Sequence, residues 1–294
     1  MAKQWVPAAA DSGRRLDTKT NSGSSVRNSQ KTENILLKTF RSVFPPFVVF
    51  LIVVGGWELV ARAADIKPYL LPKPTDIVKA AADNWSNLMV SVGTTVSEAV
   101  FGFLASVVLG VVLAVLLAMN KMIEKSVYPY AIILQTIPIV AIAPIIVIWF
   151  GAGLNAIVII SFLISFFPIL SNTLIGLNST DQNMKNLFYL YNATKLQTII
   201  RLRIPAALPY IVAGLKISCS MSVIGAIVGE YIAGIGGGKG GLGYAITVAS
   251  TRLQTAYLFA CGLSAAVLGI VFFLLINQLS KWLLSSWHES EMRN

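Results

Sequence analysis

Between Lys125 and Asp181 the chain reads SVYPYAIILQTIPIVAIAPIIVIWFGAGLNAIVIISFLISFFPILSNTLIGLNST, residues 126–180, and these 55 consecutive positions contain no Asp, Glu, Lys or Arg. A second run, 253–280, is free of charge over 28 positions. About 20 apolar residues carry a helix across a bilayer, and uncharged runs of more than about 18 read as spans. The first run therefore holds two spans and the second holds one. The rest of the chain agrees: of 294 residues 55% are hydrophobic and 12% charged, and the mean hydropathy is +0.72. That is about half the charge of a soluble domain. Such a composition excludes a soluble enzyme, a disordered chain and a nucleic-acid binder, despite a formal net charge of +10.

Working outward, the apolar runs predict an all-α membrane protein with six transmembrane helices, at about 43–63, 90–119, 127–150, 155–177, 206–234 and 254–284. Residues 1–42 are expected to be a disordered cytoplasmic tail ending in a short interfacial helix, in which Ile35, Leu36, Phe40 and Val43 keep helical spacing. Residues 285–294 form a second cytoplasmic tail. No cleavable signal is evident, because the first apolar run starts only at Val43. An even number of spans puts both termini on one side. With that side in the cytosol, 16 of the 23 Lys and Arg lie inside and six (Arg62, Lys67, Lys73, Lys79, Lys239, Arg252) outside. The positive-inside rule thus sets the orientation and accounts for the basic excess.

Metal and covalent chemistry find no footing. Cys219 and Cys261 lie in apolar stretches with no paired spacing, and the single histidine, His288, is in the C-terminal tail. No catalytic residue, metal ligand or bound cofactor is expected. On the outside, Thr75 is expected to cap a surface helix running toward Met89, with Ile77, Ala81, Trp85 and Leu88 along one stripe. The glycine-rich stretch 234–243 lacks the order of a phosphate loop and reads as an external loop.

Small residues recur every fourth position at Gly102, Ser106, Gly110, Ala114 and Ala118, and again at Gly214, Ser218, Ser222, Ala226 and, beyond the in-register Glu230, Gly234. Such stripes let helix backbones approach closely in lipid. They fit internal packing as well as a subunit or pathway surface, so Ser218, Ser222 and the in-register Glu230 are candidates for either. Val223, off the stripe, should tolerate enlargement. Pro129, Pro138, Pro144 and Pro168 each remove a backbone donor. Pro138 and Pro144 are candidate borders of a translocation path, since broken helices survive where protein or water satisfies the freed carbonyls. Glu58, Glu98 and Glu230 are expected near the outer ends, snorkelling to the interface, and Lys216 near the inner one. None is expected to have a partner at proton-relay spacing.

The segment Asp181–Pro205 is the most informative part of the cytoplasmic side. It reads as two short helices hinged near Asn192, with Leu187, Leu190 and Tyr191 on the first and Leu196, Ile199 and Ile200 on the second. A cytosolic helix with exposed apolar residues expects a partner. Ile204-Pro205-Ala-Ala-Leu-Pro209 is expected to turn the chain back into the membrane.

Here the sequence resembles the permease subunits of ATP-binding cassette importers, in the branch that handles taurine, alkanesulfonates, nitrate and related solutes. Those proteins carry a cytoplasmic loop E-A-A, three residues, G, then nine residues to I-x-L-P. Counted back from Pro205, the glycine position falls on Asn192 and the E-A-A on Asn186, Leu187 and Phe188. The sequence departs at all four, although Asn tolerates the left-handed backbone that Gly would supply. Leu70-Leu-Pro-Lys-Pro-Thr-Asp-Ile77, Gln135-Thr-Ile-Pro138, Ala143-Pro144, Trp149-Phe-Gly151, Gly229-Glu230 and Gly241-Leu-Gly243 also match the branch. The resemblance implies a coupling helix between spans 4 and 5, comprising Asn186, Leu187, Phe188, Leu190, Tyr191, Asn192 and Leu196 and ending toward Pro205. It further implies an ATPase dimer that hydrolyses the ATP, an external solute-binding protein, a permease homodimer and a place in the inner (plasma) membrane.

Two other classes fit the sequence less well. A self-sufficient secondary transporter or channel would show paired intramembrane carboxylates or inverted halves, and neither is visible. An intramembrane enzyme would need a nucleophile with a base or metal, which Ser, Cys and Lys216 do not supply. The solute could be a sulfonate, a nitrate-like anion, or a vitamin or pyrimidine precursor.

Overall fold

The computed structural model describes residues 44–46, 48–234 and 240–285. The expectations for the tail 1–42 with its interfacial helix, for residues 235–239, and for the C-terminal tail beyond 285 with His288 lie outside these residues. The chain divides into two compact units, one ending at Leu59 and one beginning at Val60. All regular structure among the described residues is helical. Helix α1, Phe44–Ala63, has the length and apolarity of a span, and the boundary between the units falls within it.

The second unit is built around α6 (Leu154–Asn178), which packs along α3 (Trp85–Met119) on one side and α9 (Ile204–Ala233) on the other. The small-residue stripes explain this arrangement. Gly102, Ser106, Gly110, Ala114 and Ala118 are all buried. A methyl group at Gly102 would strike Ser161, and one at Gly110 would strike Ile169. On α9, a Cβ at Gly225 would lie 2.6 Å from the Ser161 Cα, so backbone meets backbone there. Close approach brings hydroxyls within reach of carbonyls across the helices. Ser218 Oγ donates to Ser165 O at 2.6 Å and Ser161 Oγ to Ser222 O at 2.9 Å. Ser106 Oγ donates to Phe162 O at 2.9 Å. In hydrocarbon, interhelical hydrogen bonds and van der Waals contact carry the association, because burial of apolar surface gains little there. Cys219 and Cys261 are free and buried, in the role of small apolar side chains.

Other helices of the second unit pack against this core. Helices α4 (Lys121–Thr136) and α5 (Ile139–Phe150) meet at a 96° bend. The expected third span is therefore not one straight rod. Pro138, the residue before α5, cannot donate a backbone hydrogen bond, and the chain turns there. Pro129, Pro144 and Pro168, by contrast, sit inside continuous helices. With the bent pair counted as one span, the described residues hold six candidate spans, and five otherwise.

Three local expectations are corrected. The surface helix does not reach Met89. It is α2 (Pro74–Asp83), started by Pro74 at N1 rather than by a Thr75 side-chain cap, and Asn84 separates it from α3. Residues 204–209 do not turn the chain. Helix α8 (Lys195–Thr198), a π-helical turn at Ile199–Arg203 and α9 run on as one helix, Lys195–Ala233, of 39 residues. The Ile204 N–H bonds back five residues to Ile199 O, and such a widened turn makes room for the Pro205 ring. Finally, the stretch before the last span is not all loop. Leu242–Thr251 forms α10, with Leu242, Gly243, Ala245 and Ala249 buried, and it precedes α11 (Thr255–Ser285).

Candidate functional site

The segment after α6 folds into one short helix, and the second helix that the sequence predicts is the first turn of the long helix Lys195–Ala233. Helix α7 spans Gln182–Leu190. Asp181 caps it, its carboxylate accepting from the N–H groups of Asn183 at 2.6 Å and Met184 at 3.2 Å. The chain then reverses at Asn192, whose φ of +52° places it in the left-handed region. Thr194 opens α8 through a capping box: its hydroxyl accepts from Gln197 N at 3.2 Å, and Gln197 Oε1 accepts from Thr194 N at 2.8 Å.

Around this turn the apolar side chains point outward. Leu190 is 75% exposed and Tyr191 80%. Leu187 and Leu196 are exposed as well, and Asn186 lies on the exposed surface, where its Oδ1 accepts from Gln182 at 3.2 Å. Phe188 is half-buried. It lines a cavity of about 320 Å³ together with Leu187, Tyr191 and Gln197. Ile199, expected on the outer face, is instead buried. The π-helical turn rotates it away from Leu196 and Ile200, which remain exposed.

A second group of residues lies where the opposite ends of the spans meet, and here the structure overturns the snorkelling picture. Glu230 is 1% exposed and Glu98 3%. Thr95 Oγ1 donates to Glu230 Oε1 at 2.6 Å and accepts from Leu242 N at 2.9 Å, while Gly243 N donates to Glu230 Oε2 at 2.5 Å. Glu230 therefore caps the N-terminus of α10 from another helix, where a carboxylate is favoured by the helix dipole. The Glu98 carboxyl adjoins that of Glu230. Its Oε2 is buried and has no hydrogen-bond partner among the described residues. Gly241 and Gly243 are needed for space, since a Cβ on either would collide with Glu230 or its surroundings. Sequence spacing gave no hint of this pair, because Glu98 and Glu230 stand on different helices.

Ser218 and Ser222 are buried against α6 and so form part of the helix packing. Pro138 sits at the α4–α5 bend and Pro144 inside α5. The outward face of α5 carries Val140, Ile145, Ile148 and Trp149. The structure thus separates the sequence-predicted residues into an exposed apolar turn, a bent helix pair and a buried polar cluster.

The described residues are helical throughout their regular structure, with five or six candidate spans and one short helix set out on a tight turn between two of them. Residues 106–285 match the family described as binding-protein-dependent transport system inner membrane component, and the chain belongs to that family. It is 37% identical to the formylaminopyrimidine transport permease protein ThiX of Halalkalibacterium halodurans over 256 residues, 87% of this chain and 100% of that one. It is 29% identical to the riboflavin transport system permease protein RibX of Chloroflexus aurantiacus, over 83% of this chain and 90% of the relative. It is 26% identical to the putative aliphatic sulfonates transport permease protein SsuC of Bacillus subtilis, over 78% and 79% respectively. Among solved structures, an inward-facing MetNI methionine ABC transporter shares the fold, with a TM-score of 0.58 at 19% identity over 70% of this chain and 99% of that one. The protein is thus a multi-pass permease of the ATP-binding cassette importer family, and not an enzyme.

Proposed function

We propose that this chain forms the membrane path for a small solute that an external binding protein delivers, with transport driven by a separate ATPase dimer docked on α7 and the Asn192 turn. The observation that carries this reading is the row of exposed apolar side chains at Leu187, Leu190, Tyr191 and Leu196 around a turn held rigid by two helix caps. Exposed apolar surface on a rigid element suits a protein partner. Residues 43–284 make up the transport domain, which pairs as a homodimer in the inner membrane with both termini cytosolic. The bias of Lys and Arg supports that orientation. The path is bordered by the bent α4–α5 pair with Pro138 and Pro144, while Ser218, Ser222 and Glu230 brace the helices behind it.

The solute is best read as a pyrimidine-type heterocycle. The similarity to a formylaminopyrimidine permease over that protein's whole length supports this over a sulfonate or nitrate-like anion. Vesicles containing the chain, with and without the ATPase, binding protein and ATP, test the mechanism. Uptake should require all of them, and uptake by the chain alone would favour a self-sufficient transporter. Calorimetry on the cognate binding protein, comparing formylaminopyrimidine with taurine and nitrate, tests the solute.

A further inference from the structure

At the α7 end of the spans a cavity of about 590 Å³ opens between the start of α4, the end of α6 and the inner side of α7. Five cations line it, Lys121, Lys125, Lys185, Lys195 and Arg203, with a single carboxylate, Glu124. Its formal charge is +4, five minus one.

Arg203 lines it and is held through each of its three nitrogens. Its Nε donates to Leu177 O at 2.8 Å, Nη1 to Ala118 O at 2.7 Å and Nη2 to Asn178 Oδ1 at 2.7 Å. The Asn178 amide donates to Glu124 Oε1 at 2.7 Å, so the one acid is turned toward a neutral partner. Three helix ends are thereby locked around the opening. The four lysines form no ion pair among the described residues. Lys185 is held below the usual lysine range, first by burial and then by the charges of Arg203 and Lys121. Cations crowded in this way repel one another, and an anion placed among them would remove the repulsion.

We propose that this cavity binds a phosphate group. Ammonium groups converging on one opening suit a compact tetrahedral oxyanion. Exposed Met119 lines the opening, and Met122, which is 79% exposed, and exposed Ile123 follow Lys121 on the first turn of α4. An apolar rim beside a basic pocket at the end of the spans suits the headgroup of an anionic phospholipid, whose chains would lie along that rim. This placement in the inner leaflet rests on the topology proposed above. The phosphate chemistry does not.

The test uses the full-length chain, purified in detergent and titrated with phosphatidylglycerol, with phosphatidylcholine and with inorganic pyrophosphate. Bound ligand is read by native mass spectrometry. Phosphatidylglycerol should bind in preference to phosphatidylcholine. Its affinity should fall about fivefold for each of Lys121→Gln, Lys125→Gln and Lys185→Gln. The three Lys→Arg replacements should retain it, and Lys67→Gln and Lys79→Gln should leave it unchanged. If pyrophosphate binds with the same dependence on these lysines and lipid does not, the phosphate site stands with a soluble source. Equal binding of all probes by the parent and by a folded Lys125→Gln variant, or no anion binding by the parent, overturns it. Binding in detergent is blind to sidedness, so failure here leaves the topology standing, and failed labelling from one side would leave the site standing.

Discussion

Thr95 and Glu230, 135 positions apart, are joined by a 2.6 Å hydrogen bond, and the same hydroxyl accepts from the first N–H of α10. One threonine thus ties α3, α9 and α10 together around a buried carboxylate. The arrangement leaves no room at Gly241, where a Cβ would overlap the Glu230 carboxyl and the Thr95 hydroxyl. Gly241 has a φ of −82°, so the requirement is for space and not for a special backbone. Gly241→Ala should separate α10 from α9, and Thr95→Val should leave Glu230 Oε1 unpaired at a cost of about 1–3 kcal/mol. Thermal unfolding in detergent measures both. An unchanged transition for Gly241→Ala would show that the cluster is looser than described.

The packing of α9 on α6 gives a second expectation. At Gly225 the neighbour is the Ser161 backbone, which cannot rotate away as a side chain would. Gly225→Ala should cost about 1–3 kcal/mol through overpacking. Gly262→Ala is the control, because nothing lies within 4 Å of a Cβ built there. If the two variants unfold alike, the close approach of α6 and α9 is wrong.

Much of this packing was legible in the sequence, because small residues every fourth position align on one helix face whatever the neighbour is. Val223 shows the limit of that signal. Off the stripe, it was expected to tolerate enlargement, yet it is buried, because α9 has helices on more than one side. The Glu98–Glu230 pair was hidden for a different reason. Each glutamate sits near the end of its own span and reads as snorkelling, and only the tertiary fold brings the two together. Helix α10 is masked in the sequence by the glycines before it, which read as loop. Leu242, Ala245 and Ala249, spaced three and four apart, were the available helical signal. The Asn192 turn was legible because Asn is one of the few residues that enters the left-handed region readily.

Sidedness can be read directly. Cysteines introduced at Lys73 and Arg252 should react with a membrane-impermeant maleimide in intact cells, and one at Lys195 should react only after permeabilisation. The expectation follows from the excess of Lys and Arg on the α7 side of the spans. The opposite labelling pattern would invert the chain in the membrane and put α7 out of reach of any cytosolic ATPase.

The sharpest expectation concerns Asn192. Its φ of +52° is what lets the chain reverse between α7 and α8, and the exposed side chains of Leu190, Tyr191 and Leu196 are set by that reversal. Gly adopts the same backbone at no steric cost, so Asn192→Gly should preserve the turn. A β-branched residue resists positive φ. In Asn192→Val the turn should therefore open, at a cost of about 1–3 kcal/mol. The apolar residues would then no longer present one surface, and the link between ATP hydrolysis and movement of the spans should weaken. ATPase activity and solute uptake are measured together in vesicles reconstituted with the ATPase and the binding protein. For Asn192→Gly both should match the parent. For Asn192→Val uptake should fall further than hydrolysis, which is the signature of lost coupling rather than lost assembly. Transport at the parental level with Val at this position would mean that the left-handed turn plays no part in passing force to the spans.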